Sequence, residues 1–275
     1  MTAILEHPAD TLLGLDFDGT LAPIVTDPEE AYADPEAVAA LARLGELIGR
    51  IVVITGRTAE TAVRLGGFRD HETLKSMTVL GQYGVERWDA ATDSFRSPPE
   101  PRVIHLVEPE LRRLLAHHDA SDARVENKGR ALAVHTRGLE DPVGTLERLS
   151  APLAEFAHRH GLVLEPGRAV LEIRAPGMDK GKALRDVVAE TDAGQVIFAG
   201  DDRGDLPAFQ AVKQLRDQGT PGLLVCSASD EEDALAGISD VVVEGPAGIA
   251  IWLASLAEAI KAPGSRGTRS RFPAH

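Results

Sequence analysis

The chain has 275 residues, of which 43% are hydrophobic and 26% are charged, an ordinary globular composition for one large domain or two smaller ones. Its formal net charge of −14 argues against nucleic acid or an anionic membrane as a partner, because both require a basic surface. The one cysteine, Cys226, excludes an internal disulfide and argues against a cysteine-based zinc site.

The first part of the chain alternates between short apolar segments and amphipathic segments. Residues 11–22 read TLLGLDFDGTLA, an apolar run that predicts a buried strand, followed by Asp16 and Asp18. Asp34 and Pro35 predict the N-cap and the first position of a helix. The apolar pattern predicts helices at 37–48 and 58–65 and strands at 51–54 and 79–80. This β-α-β-α-β order is typical of an α/β fold with a doubly wound, Rossmann-like parallel sheet.

The middle of the chain follows a different pattern. Residues 88–101 have no regular periodicity and are predicted to be irregular. Residues 103–175 then show the order α-β-β-α-β-β, with predicted helices at 105–118 and 142–160 and two hairpins with glycine at their turns. We expect this segment to form a smaller α+β cap domain, inserted into a catalytic core made of residues 1–102 and 176–261.

Doubly wound order resumes after residue 176. The pattern predicts helices at 183–191, 207–212 and 247–260 and strands at 195–199, 222–226 and 239–243. Residues 262–275 have no apolar periodicity, and we expect them to be a disordered tail.

Polar side chains follow the predicted parallel strands at the edge where open α/β sheets bind ligands. They are Asp16, Asp18, Thr55, Arg57, Asp201, Asp202 and Asp205, with Lys180 and Lys182 at the start of the helix that leads to the last three. Carboxylate oxygens suit Mg²⁺, and a hydroxyl and a lysine beside the metal suit a phosphoryl group. One aspartate could attack phosphorus, and a second could protonate the leaving oxygen. Alone, each motif also fits an acidic turn or a solvated helix start, but their order at successive strand ends favours catalysis.

These motifs resemble those of the haloacid dehalogenase superfamily of phosphatases. Over residues 10–260 the chain is similar to the trehalose-6-phosphate phosphatase family. The similarity rests on DFDGTLAPI at 16–24, TGR at 55–57, GxxGxE at 81–86, ENKGRALAVHTR at 126–137, LEIR at 171–174, DKG at 179–181 and GDD at 200–202. The resemblance implies Mg²⁺-dependent hydrolysis of trehalose 6-phosphate to trehalose and phosphate through an aspartyl phosphate.

The resemblance also implies a role for each core residue. Asp16 would be the nucleophile, Asp18 the general acid and base, and Thr55 a ligand of a phosphoryl oxygen. Lys180 would neutralise the phosphate and Asp16, and Arg57 would contact the substrate. The implied Mg²⁺ ligands are the side chains of Asp16 and Asp201 and the backbone carbonyl of Asp18, with Asp202 or Asp205 supporting the metal through its waters.

In the inserted domain, the resemblance implies a sugar-binding set. Its members would contact the sugar hydroxyls and the phosphate, and they are Glu126, Lys128, Arg137 and Glu172. From the residues alone, polar groups on hairpins that face the core could recognise a disaccharide, and solvated strand faces are the alternative.

The sequence departs from the family pattern in three ways. Tyr83 stands where the family segment GxHGxE commonly has histidine, so any histidine role is absent there. After GDD the chain reads Arg203, Gly204 and Asp205, which keeps Asp205 in place but loses the acids that usually follow. No synthase domain is attached, so we expect a stand-alone phosphatase. The nine histidines form no spaced ligand set, which argues against a zinc site.

Two other functions remain open at this stage. The same chemistry could act on another phosphosugar, such as sucrose phosphate or a glycosyl phosphoglycerate, or the chain could be a non-catalytic sugar-phosphate sensor. In each case we expect a small phosphosugar as the ligand, neither nucleic acid nor a membrane as a partner, and a monomer. A signal-peptide pattern is absent and no apolar run reaches the roughly 18 residues of a membrane span, so we expect a cytoplasmic location.

Overall fold

The chain folds into two compact units. The computed structural model describes residues 2–167, 169–177, 179–228 and 235–262. The core unit is drawn from Met1–Arg96 and Lys180–His275, and the inserted unit is Ser97–Asp179. Residues 263–275 of the predicted tail lie outside the described residues. The predicted domain boundaries at 102 and 176 remain a proposal.

The secondary structure is numbered here in chain order. The strands are β1 Thr11–Leu15, β2 Arg50–Ile54, β3 Met77–Gly81, β4 Glu86–Asp89, β5 Ser94–Arg96, β6 Arg124–Asn127, β7 Ala131–His135, β8 Val163–Gly167, β9 Val170–Arg174, β10 Gln195–Gly200, β11 Gly222–Ala228 and β12 Val241–Glu244. The helices are α1 Thr2–Glu6, α2 Pro35–Leu44, α3 Ala59–Gly66, α4 Arg102–His117, α5 Pro142–Arg159, α6 Lys180–Thr191, α7 Leu206–Asp217 and α8 Gly245–Lys261. Within the described ranges, none of these helices has the length and apolar character needed to cross a membrane.

The core unit is built on one mixed sheet. Its described strands lie in the order β12-β11-β10-β1-β2-β3-β4-β5, and every pair from β12 to β3 is parallel. The predicted doubly wound α/β core is therefore confirmed. Because β10 and β2 flank β1, the polar residues that follow these three strands are brought to one edge of the sheet.

Helices cover both faces of the central part of this sheet, which explains why a strand such as β1 has a continuous apolar sequence. Leu13 and Leu15 of β1 belong to a core formed with α2, α3 and α8, whereas Leu12 belongs to a core formed with α6 and α7. All five residues of β1 are buried. Successive side chains point to opposite faces of a strand, so burial on both faces requires an unbroken apolar run.

The prediction that residues 88–101 are irregular is wrong in its first part. Strands β4 and β5 form an antiparallel hairpin that extends the sheet beyond β3. Trp88 is fully buried, and its ring lies 6.3 Å from the Phe95 ring on the paired strand. These strands have four and three residues, so neither is long enough to show a period.

The inserted unit is a four-stranded antiparallel sheet with two helices on one face. Its described strands lie in the order β6-β7-β9-β8, and α4 and α5 pack on Leu132, Val134, Leu171 and Ile173. Because side chains alternate along a strand, the residues between these apolar positions, including Glu172, lie on the opposite face. The predicted α+β character of this part of the chain is confirmed.

The N-cap of α2 offers a test of local stability. The Asp34 carboxylate accepts hydrogen bonds from the backbone N–H groups of Glu36 at 2.8 Å and Ala37 at 3.1 Å. We expect Asp34→Ala to lower the free energy of unfolding by about 1 kcal/mol, measured by urea denaturation, because both N–H groups lose their acceptor. Asp34→Asn is the matched control and should lose much less, since asparagine also caps helices. Equal stability of the alanine variant and the unmodified protein would contradict this assignment.

Candidate active site

A buried lysine lies between two carboxylates at the carboxyl end of β1. Asp16 directly follows β1, and its backbone N–H is held by the carbonyl of Ala199 on the neighbouring strand β10 at 2.9 Å. Lys180 is the first residue of α6. Its Nζ lies 2.6 Å from Asp16 Oδ1 and 2.8 Å from Asp205 Oδ1. All three side chains are buried, so this is an internal charge network.

The turn after β10 presents Asp201 and fixes Asp205. The second oxygen of Asp205 accepts the backbone N–H of Asp201 at 3.0 Å, while its first oxygen accepts from Lys180. Asp202 accepts the N–H of Gly204 at 2.8 Å and is only partly buried. Asp205 therefore holds both the turn and the lysine, and Asp202 caps the turn.

Asp16, Asp201 and Asp205 could hold a metal ion together. Each offers one carboxylate oxygen, and these three atoms lie within 4.8 Å of one another. Asp201 Oδ1 is buried and has no hydrogen-bond partner. A methyl group at Gly19 would lie 1.9 Å from Asp201 Oδ2, and the φ of Gly19 is +79°, so only glycine fits beside this carboxylate. Oxygen ligands of this kind suit a hard divalent cation such as Mg²⁺.

The electrostatics of the cluster also favour a cation. Burial raises the pKa values of the Asp16 and Asp205 carboxyls, and it raises the pKa of Asp201 to about 10. The neighbouring carboxylates add to these rises, whereas Lys180 opposes them. Burial lowers the pKa of Lys180, whereas the neighbouring carboxylates raise it. The net shift is upward, so the lysine stays charged. One lysine cannot neutralise three carboxylates, and a divalent cation would supply the missing positive charge.

Asp18 lies in a separate ion pair with Arg57. The guanidinium Nε and one terminal nitrogen of Arg57 donate to the two oxygens of Asp18 at 2.8 and 2.6 Å. The other terminal nitrogen donates to the carbonyl of Pro28 at 2.8 Å, and the guanidinium lies 5.6 Å from the centre of the Phe17 ring. The Asp18 side chain is about one third exposed, in contrast to Asp16. The two aspartates of the first motif thus have different environments.

Thr55 lies in the turn that follows β2. Its side chain is buried, and its hydroxyl oxygen accepts the backbone N–H of Arg57 at 3.1 Å. Its own backbone N–H donates to the carbonyl of Leu80 on β3 at 3.0 Å. Lys182, which the sequence places near this edge, pairs with Asp186 one turn later on the exposed surface of α6.

Three of the four predicted sugar-binding residues meet on one face of the inserted sheet. Glu126 and Glu172 are both cross-strand partners of Ala133, and Lys128 Nζ donates to Glu172 at 2.6 Å. Arg137 is exposed and follows β7. A hydrogen bond with His135 at 2.8 Å is the main cause that lowers the pKa of Glu126 to about 2, although burial opposes it.

Sequence reasoning missed supporting residues in both units. Ser227 at the end of β11 is buried and donates to the carbonyl of Gly19 at 2.7 Å, which holds the loop that carries the first two aspartates. Glu165 lies beside Glu172 on the inserted sheet and accepts from Arg174 at 2.7 Å. Ser227 could have been found from the sequence, because it is a serine at the end of the apolar run GLLVC. The position of Glu165 beside Glu172 depends on strand register, which local sequence does not specify.

The chain is similar to proteins of a known family. The sequence model described as "Trehalose-phosphatase" matches residues 14–240. The chain is 30% identical over 200 residues to the "Trehalose-6-phosphate phosphatase-related protein" of Thermoplasma acidophilum, and the match covers 73% of this chain and 82% of that protein.

Two further comparisons concern a longer relative and a solved structure. The chain is 29% identical over 238 residues to "Probable trehalose-phosphate phosphatase 4" of Oryza sativa subsp. japonica, covering 82% of this chain but 61% of the relative. The chain therefore spans less than two thirds of that relative's length. The C-terminal domain of trehalose-6-phosphate phosphatase from C. albicans superposes with a TM-score of 0.75 at 17% identity, over 94% of this chain and 95% of that one, and supports the fold.

The raised pKa of Asp201 predicts how stability depends on pH. The pKa of Asp201 rises from 3.8, its ordinary value, to about 10 in the folded state. Between these two values the folded state binds more protons than the unfolded state, so the free energy of unfolding should fall as pH rises. We expect the melting temperature of chelator-treated protein to fall between about pH 6 and about pH 9, and Mg²⁺ to raise it again, most strongly at high pH.

Asp201→Asn is the informative variant for this pH dependence. It should flatten the slope and lose most of the Mg²⁺ effect, because it removes one of the three carboxylates. Asp122→Asn replaces an exposed aspartate and should behave like the unmodified protein. An unchanged Mg²⁺ response in Asp201→Asn would exclude Asp201 as a ligand.

Proposed function

The chain belongs to the trehalose-phosphatase family, and we propose that it hydrolyses trehalose 6-phosphate to trehalose and phosphate with Mg²⁺ as cofactor. The observation that carries this proposal is the buried cluster of Lys180 with Asp16, Asp201 and Asp205, whose excess negative charge calls for a cation. Asp16 and Asp201 would hold the Mg²⁺ through their carboxylates, and the backbone carbonyl of Asp18 would be a further ligand. Asp202 or Asp205 would support the metal through its waters. Bound Mg²⁺ would supply positive charge to the phosphoryl oxygens.

Asp16 is the proposed nucleophile. Its free carboxylate oxygen would form a bond to phosphorus while the bond from phosphorus to the sugar oxygen breaks, which leaves an aspartyl phosphate on Asp16. Lys180 Nζ lies 2.6 Å from the other oxygen of Asp16. This contact fixes the orientation of the carboxylate and offsets its negative charge. The buried Thr55 hydroxyl would donate to a phosphoryl oxygen.

Asp18 is the proposed general acid and base. In the first step it would give a proton to the departing sugar oxygen, so that trehalose leaves as an alcohol. In the second step the ionised Asp18 would accept a proton from water, whose oxygen bonds to phosphorus as the bond to Asp16 breaks. Arg57 orients Asp18 through two hydrogen bonds, and it would also contact the substrate.

The inserted unit is the proposed source of substrate specificity. Carboxylates at Glu126 and Glu172 can accept hydrogen bonds from sugar hydroxyls, and Lys128 and Arg137 can donate to hydroxyl or phosphate oxygens. In support, Glu126, Lys128 and Glu172 share one face of the inserted sheet. The alternative substrates are sucrose phosphate and a glycosyl phosphoglycerate, and the alternative function is binding without hydrolysis. An assay of phosphate release distinguishes them.

Phosphate release from a panel of sugar phosphates tests the function. The panel holds trehalose 6-phosphate, sucrose 6-phosphate, glucose 6-phosphate and glucosyl phosphoglycerate, each with Mg²⁺ and with chelator. We expect release from trehalose 6-phosphate with Mg²⁺ only, and we expect Asp16→Asn to lower kcat by about a thousandfold or more. Asp122→Asn is the matched control and should keep full activity.

The outcomes of this panel separate the alternatives. A preference for another sugar would keep the aspartate chemistry and reject trehalose 6-phosphate as the substrate. Binding of trehalose 6-phosphate without release of phosphate would favour the sensor. Near-normal turnover by Asp16→Asn would contradict the proposed nucleophile.

A second test separates sugar recognition from chemistry. Glu172→Gln should raise KM for trehalose 6-phosphate about tenfold, because a hydrogen bond to a charged group is lost. The same variant should leave kcat/KM for an aryl phosphate without a sugar within about twofold, since the phosphoryl site is unchanged. Glu140→Gln, an exposed glutamate of the inserted unit, is the control. Equal losses on both substrates would instead indicate a general structural effect of the Glu172 substitution.

A further inference from the structure

The turn that carries Thr55 and Arg57 is held by a second loop of the core unit. This loop follows β3 and contains a 3-10 turn at Gln82–Gly84. The backbone N–H of Tyr83 donates to the carbonyl of Thr55 at 3.0 Å, and the backbone N–H of Gln82 donates to the carbonyl of Arg57 at 2.8 Å. The two loops therefore share a pair of backbone hydrogen bonds on either side of Gly56.

The Tyr83 side chain lies directly against Gly56. A methyl group placed on the Gly56 Cα would lie 2.8 Å from Tyr83 Oη and 3.0 Å from Cζ. Carbon and oxygen atoms do not normally approach so closely without a bond, so the phenol occupies the space that a side chain at position 56 would need. The φ of Gly56 is not positive. A side chain at position 56 would therefore force the Tyr83 phenol to move.

The backbone of the second loop adopts an unusual conformation to make this contact. Gln82 and Tyr83 have φ values of +49° and +59°, in the left-handed region that is unfavourable for a residue with a side chain. Such conformations persist where the surrounding structure holds them, and they concentrate at functional sites. Glu86, the first residue of β4 after this loop, accepts the backbone N–H of Ala59 at the start of α3 through its Oε2.

We propose that Tyr83 is a positioning residue whose phenol ring, packed against Gly56, holds Thr55 and Arg57 in place to receive the phosphoryl group. The inference rests on the proposed function, because the role of Thr55 does. Tyr83 acts through Gly56 and its two neighbours, and the ring provides the contact. Without the ring, the turn can move toward the vacated space, and a displacement of about 1 Å is enough to weaken catalysis strongly.

Single substitutions of Tyr83 test this role. Tyr83→Ala should lower kcat for an aryl phosphate with Mg²⁺ about tenfold and weaken the binding of inorganic phosphate, measured by calorimetry, by a similar factor. Tyr83→Phe keeps the ring and should stay within about twofold of the unmodified protein in both measurements. Tyr32→Ala is the matched control, because Tyr32 is the other tyrosine and its side chain is exposed. Unchanged kcat and phosphate affinity in Tyr83→Ala would overturn the proposal.

A double substitution tests the contact itself. Gly56→Ala should impair phosphate binding because its methyl group clashes with the phenol, and Gly56→Ala with Tyr83→Phe should recover part of the loss because the nearest atom is removed. Equal impairment of the single and double variants would overturn the proposal, and this comparison applies even if Tyr83→Ala does not fold. Absence of phosphate release by the unmodified protein from every substrate would reject the proposed function. Phosphate affinity would then decide the role of Tyr83 separately.

Discussion

The excess of buried negative charge around Lys180 is the constraint on which the core unit depends. A carboxylate removed from water is costly unless another charge or hydrogen bonds replace its hydration. Adjacent parallel strands β1 and β10 deliver Asp16 and Asp201 to one edge, and the first residue of α6 delivers the lysine. One oxygen of Asp205 accepts a hydrogen bond from this lysine, and the other accepts the backbone N–H of Asp201 in the turn. Asp201 Oδ1 remains buried without a hydrogen-bond partner, and a cation beside it would replace its lost hydration.

Secondary structure was predictable from the sequence where burial imposes an apolar pattern on a local segment. Strands covered on both faces, such as β1, have unbroken apolar sequences. The change to an α-β-β-α-β-β order with two hairpins predicted an inserted α+β segment. The β4–β5 hairpin was missed because its strands are too short to show a period, and in the structure Trp88 of β4 packs beside Phe95 of β5. Both residues lie within seven positions of each other, but their pairing follows from the turn between the two strands and leaves no periodic pattern.

The candidate site shows the same division. Aspartates at strand ends identify the edge of the sheet, and topology then brings Asp16, Asp201 and Asp205 together. Sequence reasoning could not assign the partner of each carboxylate, and Asp205 proves to bond to Lys180 and to the turn. The contact between Tyr83 and Gly56 was also hidden, because it joins two loops whose approach depends on the pairing of β2 with β3. The sequence showed that Tyr83 departs from the family motif, but only the structure showed that its side chain lies against Gly56.

The pairing of charges distinguishes the two units chemically. In the core unit three buried carboxylates face one lysine, so the site has a deficit of positive charge that favours a metal ion and, through it, a phosphate. On the inserted sheet each carboxylate has its own nitrogen partner: Glu126 bonds His135, Glu172 bonds Lys128 and Glu165 bonds Arg174. The remaining lone pairs and N–H groups of these residues can exchange hydrogen bonds with neutral hydroxyls. The proposed phosphosugar substrate carries both kinds of group, an anionic phosphate and neutral hydroxyls.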